Sequence, residues 1–192
     1  MADIKRIFQV DGQPFFPLGG QAKNSSGYNR AEAETAFRAL REMHGNTLEI
    51  PVYWEQVEPV EGTFVFDGVA DLLALAGEYR CKLVLLWFAT WKNGDMDYAP
   101  GWVKADQQRF RRVINPLGVP IWGLSPYCQA NRDADANALA HLMGYLKEHD
   151  RERSVIAVQV ENEPGTLWSD RDYAPEAEAI FQAPVPQDLV EA

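Results

Sequence analysis

A chain of 192 residues with 28 acidic against 18 basic side chains has a formal charge of −10, a field that repels phosphate backbones and argues against nucleic acid as a partner. Its 46% hydrophobic and 24% charged residues fit a globular protein with a core and exclude a disordered or fibrous one. No apolar run approaches the ~18 residues that span a bilayer, and the start Met1-Ala2-Asp3-Ile4-Lys5-Arg6 lacks a signal-peptide stretch, so the chain as given reads as cytoplasmic and not membrane-bound.

Pro14-Phe15-Phe16-Pro17-Leu18-Gly19-Gly20 reads as a first buried strand running into a polar loop at Asn24, Ser25 and Ser26. Asn29 is placed to cap a helix whose apolar positions Ala33, Phe37, Leu40 and Met43 recur at helical spacing, with Gly45 as its stop. Thr47 to Trp54 is β-branched and aromatic and reads as a second strand, although Pro51 removes one ladder donor. The turn-rich Glu58-Pro59-Val60-Glu61-Gly62 leads past Phe64 and Phe66 to Asp67, expected to cap a helix bearing Val69, Leu72, Leu73 and Ala76. Lys82 to Phe88 is a nearly unbroken apolar run, the pattern of a strand buried on both faces of a parallel sheet.

From Ala89 to Asn131 the periodicity lapses into a segment rich in Trp, Pro and Gly, with one short helix expected around Ala105 to Val113. Loops of that length are usually functional. Asp133 is then expected to cap a helix bearing Leu139, Leu142, Met143 and Leu146. Val155 to Val160 reads as a fourth buried strand, ending at Glu161-Asn162-Glu163-Pro164. A short helix from Pro175 to Phe181 follows, and no fifth strand.

Four alternations of strand and helix predict one parallel α/β domain over residues 1–192. In such folds the chemistry sits after the strand C-termini. Two of those ends are aromatic, with Tyr53 and Trp54 after the second strand and Trp87, Phe88 and Trp91 after the third; Trp102 and Trp122 lie in the long segment. Flat rings suit the C–H faces of sugars and equally suit a core. Glu161-Asn162-Glu163 sets two carboxylates and an amide where charge is costly unless used or paired. Alternation would send Glu161 and Glu163 to one side, and a carboxyl among tryptophans is pushed towards the pKa of a general acid. The plain alternative is a strand-exit turn with Glu161 on a nearby Arg. Cys81 and Cys128 read as buried free thiols, and His44, His141 and His149 have no metal-ligand spacing, so neither metal nor cofactor is implied.

Val158-Gln159-Val160-Glu161-Asn162-Glu163 resembles the fourth-strand motif of glycoside hydrolase family 35 β-galactosidases, within the clan of retaining (β/α)8 glycosidases. Trp54-Glu55-Gln56-Val57-Glu58-Pro59, with Glu61-Gly62 and Phe66-Asp67, resembles the second-strand exit of families 35 and 42. Where family 35 usually has Tyr this chain has Pro164, as in a bacterial subgroup. The resemblance implies that Glu163 is the acid/base carboxylate and that Asn162 bonds the sugar 2-hydroxyl. Glu161 is then a supporting or substrate-binding carboxylate, and Asn24, Tyr53 and Trp87 belong to the sugar subsite. The implied substrate is a β-linked oligosaccharide or galactoside.

In that clan the nucleophile lies at the end of the seventh strand, and a complete barrel needs about 250 residues. The expected fold is therefore the N-terminal half, about four βα units, of a (β/α)8 TIM barrel, incomplete in this chain and without the nucleophile. Its open edges would be covered by a homo-oligomer or a complementing C-terminal half. An inactive carbohydrate-binding or scaffold fragment is the alternative. An inverting hydrolase pairing Glu163 with Glu55 is a further one and needs about 6.5 to 9.5 Å between carboxyl groups.

Overall fold

The structure, a computed structural model, describes residues 7–191. The chain opens with a small hairpin, β1 (Gln9–Val10) and β2 (Gln13–Pro14), joined by Asp11 and Gly12 with φ of 51° and 74°. Two consecutive positive φ values are what a tight hairpin turn of this kind requires, and Asp-Gly adopts them readily. The rest of the chain runs β3 (Gly19–Gln21), α1 (Arg30–Glu42), β4 (Thr47–Tyr53), α2 (Trp54–Val57), α3 (Asp67–Tyr79) and β5 (Lys82–Phe88). It continues with α4 (Gly101–Ala105), β6 (Arg112–Ile114), β7 (Pro120–Leu124), α5 (Gln129–His149), β8 (Val155–Val160), α6 (Pro175–Phe181) and α7 (Gln187–Glu191).

Strands β3, β4, β5 and β8 form one parallel sheet in that order, with Val52 beside Trp87 and Trp87 beside Val160. Alternation divides it. Leu48, Ile50, Val52, Leu83, Leu85 and Trp87 face the helices and join Phe37 and Leu40 of α1, Leu72 and Leu75 of α3, and Leu142 of α5 in the main core. Tyr53, Leu86 and Phe88 face the other way and form a smaller cluster with Val84 and Tyr98. The sheet is open, so the four strands are observed and barrel closure is not.

Several expectations change. The first strand of the sheet is Gly19–Gln21, exposed and at the far end of the apolar run, because Pro14 is used in the hairpin and Pro17 has no N–H to give. Gly19 is there because a Cβ would stand 1.6 Å from the Thr47 carbonyl oxygen of β4. His44, with φ of 55°, reverses the chain after α1, and Gly45 instead makes room for the Leu40 side chain. Asp67 is the first residue of α3 rather than its cap. Helix α5 begins four residues before Asp133, because its first inward residues are the polar Asn131 and Asp135, which hydrophobic periodicity cannot register. The long segment holds the α4 turn and the β6–β7 hairpin, not a helix at Ala105 to Val113. The fourth strand is half open to solvent: β5 covers one edge, no strand covers the other among the described residues, and Val160 is 63% exposed.

At the opposite, amino-terminal end of the sheet, Asp11 of the hairpin meets Lys82 at 3.7 Å and Arg153 at 3.2 Å. The Lys82 ammonium also donates to the carbonyl of Arg153, just ahead of β8.

Candidate active site at the carboxyl ends of the strands

Strand β8 stops at Val160 because the next residues turn left-handed: Glu161 has φ of 64° and Glu163 has φ of 54°. Both costs are met by side-chain bonds to the loop that leaves β5. The same twist breaks the expected alternation, so the two carboxylates go to different partners.

Glu161 turns back onto that loop. One oxygen accepts from the Trp91 N–H at 2.8 Å and the other from the Thr90 N–H at 3.3 Å. The Thr90 N–H also reaches Asp135 of α5 at 3.1 Å, and Asp135 accepts from the Trp87 indole at 2.8 Å and from the Thr90 hydroxyl. Burial pushes the Glu161 carboxyl far above the usual carboxylate range, the neighbouring Asp135 adds to the rise, and the two backbone N–H groups only partly oppose it. The ionised form of Glu161 is thus disfavoured by its burial and by Asp135. The residue lines a cavity of about 250 Å³ with Thr90, Trp91, Asn131, Asp135 and Val160, on the helix side of the sheet. Among the described residues Glu161 makes no ion pair with an arginine.

Glu163 faces the other way. Its Oε2 accepts from the Lys92 ammonium at 3.1 Å and from the Asn93 N–H at 3.1 Å, and its side chain is 60% exposed. The expected setting among tryptophan rings is thus replaced by a cation. Asn162 lies beside it, its Oδ1 accepting from the same ammonium at 2.6 Å.

The remaining expected residues divide. Asn24 lies just past β3 and Tyr53 ends β4, and they are joined: the Tyr53 hydroxyl donates to the Asn24 carbonyl at 2.5 Å and accepts from the Gly27 N–H at 3.1 Å. Tyr53 is buried against Tyr28, Phe88 and Tyr98. Trp87 is not brought to this cluster. Its ring is fully buried on the helix side and bound to Asp135, since its place in the pleat is one residue out of phase with Leu86 and Phe88. Trp54 is also core, donating to Glu58 at 3.0 Å, and Glu58 holds the Gly62 N–H at 2.9 Å, so the second-strand motif is a folded turn. Glu55 is engaged by the Tyr28 hydroxyl and by Lys104 at 3.6 Å.

One group bonded to Glu163, and a second further along its loop, escaped the sequence reading. Lys92 is 7% exposed at the heart of the turn. Trp168 follows on the same loop with 67% exposure, and that loop closes on Gly94, where a Cβ would stand 2.8 Å from Leu167. A lysine in an irregular segment looks solvated, and only the spacing Trp91-Lys92-Asn93 directly after a buried strand hints otherwise. No group of three or more His, Cys, Asp or Glu side chains able to hold a metal occurs among the described residues, and no helix there is long and apolar enough to cross a membrane.

No protein-family model matches the chain. A β-galactosidase of Xanthomonas manihotis is 28% identical over 188 residues, covering 91% of this chain and 28% of that enzyme. Among solved structures, an exo-β-1,4-mannosidase from Opitutaceae bacterium strain TAV5 matches 93% of this chain and 29% of its own, at 18% identity and a TM-score of 0.60. The β-galactosidase of the haloarchaeon Halorubrum lacusprofundi matches 84% of this chain and 23% of its own, at 19% identity and a TM-score of 0.65. A β-galactosidase from the psychrophilic Marinomonas ef1 gives 0.60 at 14% identity, over 83% of this chain and 23% of its own. The chain thus spans less than a third of each, and the likenesses in sequence and in fold fall together on glycoside hydrolases.

Proposed function

We propose that this chain supplies the acid/base carboxylate, Glu163, of a retaining glycoside hydrolase acting on terminal β-galactosides or related β-glycosides. The observation that supports this most is the position of Asn162 and Glu163. They project from the carboxyl end of β8 on a left-handed turn, with the Glu163 carboxylate open to solvent and its neighbour's amide fixed beside it. The likeness to a β-galactosidase points to the class of sugar.

In this reading Glu163 protonates the glycosidic oxygen as the bond to the anomeric carbon breaks, and then takes a proton from the water that releases the sugar. Retention needs a second carboxylate about 5 to 5.5 Å away as nucleophile. Glu161 is unsuited to that role, because burial and Asp135 disfavour its ionised form and both of its oxygens are bonded to the Thr90 and Trp91 N–H groups. In the clan this chain resembles, the nucleophile ends the seventh strand, so this reading takes it from outside these four strands.

The test is hydrolysis of an aryl β-galactoside by the purified chain and by Glu163→Gln, each run beside a sizing column. Complementation by the downstream part of a related enzyme forms a second arm. Turnover in the complemented protein, reduced about 10²- to 10⁴-fold by Glu163→Gln, is the expected result. Full turnover in the variant would remove Glu163 from the role, and turnover by the chain alone would place a nucleophile within it.

A second reading, a carbohydrate-binding or scaffold element without turnover, is favoured by the ion pair that occupies Glu163. It predicts sugar binding that Glu163→Gln leaves intact and no hydrolysis after complementation.

A further inference from the structure

We propose that Lys92 is a positioning residue of this site, one that fixes which atoms of Asn162 and Glu163 face the substrate. The inference rests on the glycosidase reading for its purpose and on geometry for its substance. The Lys92 ammonium has three protons and three acceptors: Asn93 Oδ1 at 2.6 Å, Asn162 Oδ1 at 2.6 Å and Glu163 Oε2 at 3.1 Å. It stands 5.0 Å from the centre of the Phe88 ring, and the residue is 7% exposed. A charge so withdrawn from water is tolerated because each proton is bonded and the ring face is attractive to a cation.

The consequence is directional. An ammonium only donates, so the Asn162 atom turned towards it must be the carbonyl oxygen, and the NH₂ group is left to project away as a donor. A flipped amide would set its own protons against those of the ammonium. Glu163 is constrained in the same manner. Its Oε2 is held by Lys92 and by the Asn93 N–H, so Oε1 is the oxygen left to meet a leaving group. One buried cation thus orients the group that would bond a sugar hydroxyl and the group that would carry the proton. The loop it stands on is itself fixed to the end of β8 by the bond from the Trp91 N–H to Glu161.

Lys92→Met keeps the stem and removes the donors, and Lys92→Arg keeps the charge. The experiment records ¹⁵N–¹H spectra of the full chain, following the Asn162 side-chain NH₂ and the Asn93 backbone N–H, with thermal melts to confirm folding. Both signals are expected to shift clearly in Lys92→Met and to return part of the way in Lys92→Arg. A folded Lys92→Met protein with both signals unmoved would overturn the proposal. The unmutated chain offers a check that does not depend on a variant folding: the Lys92 ammonium protons should be slowed in solvent exchange and show contacts to Asn162. Fast-exchanging, contact-free protons would equally overturn it.

Titration with galactose separates this claim from the functional one. Affinity reduced about tenfold or more in Lys92→Met is expected from the loss of charge-assisted bonds. Equal affinity in both proteins would sink the positioning role and leave the sugar reading standing. Absence of binding by the unmutated chain, with the amide shifts present, would count against the sugar reading and for the geometry of Lys92.

Discussion

Glu161 and Glu163 are two residues apart, yet one is buried against Asp135 and the other is open to solvent beside Lys92. Folding raises the Glu161 pKa above the ordinary carboxylate range of the unfolded chain, because burial and Asp135 disfavour its charge. The groups facing it are Asp135 and Arg132 of α5 and the backbone of Thr90 and Trp91. The sign follows: this group's contribution to stability is fully present below the ordinary carboxylate pKa and is lost as pH climbs from there through the raised value. The denaturation midpoint of the chain should therefore fall between pH 5 and pH 9. Glu161→Gln, which mimics the protonated acid, should flatten that fall by at least about 1 kcal/mol. An unchanged slope in the variant would dismiss the raised Glu161 pKa. At this scale the sequence singled out Asn162 and Glu163, because two carboxylates and an amide at the end of an apolar run are conspicuous. It was silent on Lys92 and Asp135, whose partners lie 70 residues away at Asn162 and 48 away at Trp87. Trp87 was undecidable, since one step in the pleat chooses between core and cleft.

The elements show where local pattern suffices and where close approach takes over. Helix α1 was legible down to its cap, with Asn29 accepting from the Glu32 N–H at 3.0 Å, because cap and apolar stripe are both written in adjacent residues. Strands β4 and β5 were legible as apolar runs. The start of α5 and the β6–β7 hairpin were not, as polar inward residues and short strands have no periodicity to read. The loop between β3 and α1 adds a constraint that no pattern reveals: a Cβ on the buried Gly27 would stand 2.0 Å from the Pro51 carbonyl oxygen. Gly27→Ala should force that loop off β4 and weaken the Tyr53 hydroxyl bond, costing about 1 to 3 kcal/mol in chemical denaturation. A variant as stable as the parent would mean that the loop can move without cost.

On the scale of the whole molecule, the sheet is packed on its helix side and sparse on the other, and both outer strands have an edge without a partner among the described residues. Such edges pair with whatever strand they meet. Light scattering on the isolated chain should therefore show a mass that rises with concentration, and Val160→Lys, placing a charge on the exposed end of β8, should reduce the rise. A mass independent of concentration would show the edges to be protected. The hairpin at the amino-terminal end of the sheet adds a consequence in time rather than space. Asp11 bonds Arg153, 142 residues further along the chain. During synthesis the hairpin leaves the ribosome long before its anchor beside the last strand exists. Its charged contacts, to Lys82 at 3.7 Å and to Arg153 at 3.2 Å, close long loops and are partly exposed, so its docking is expected to be completed late in folding and to be lost early when the protein opens.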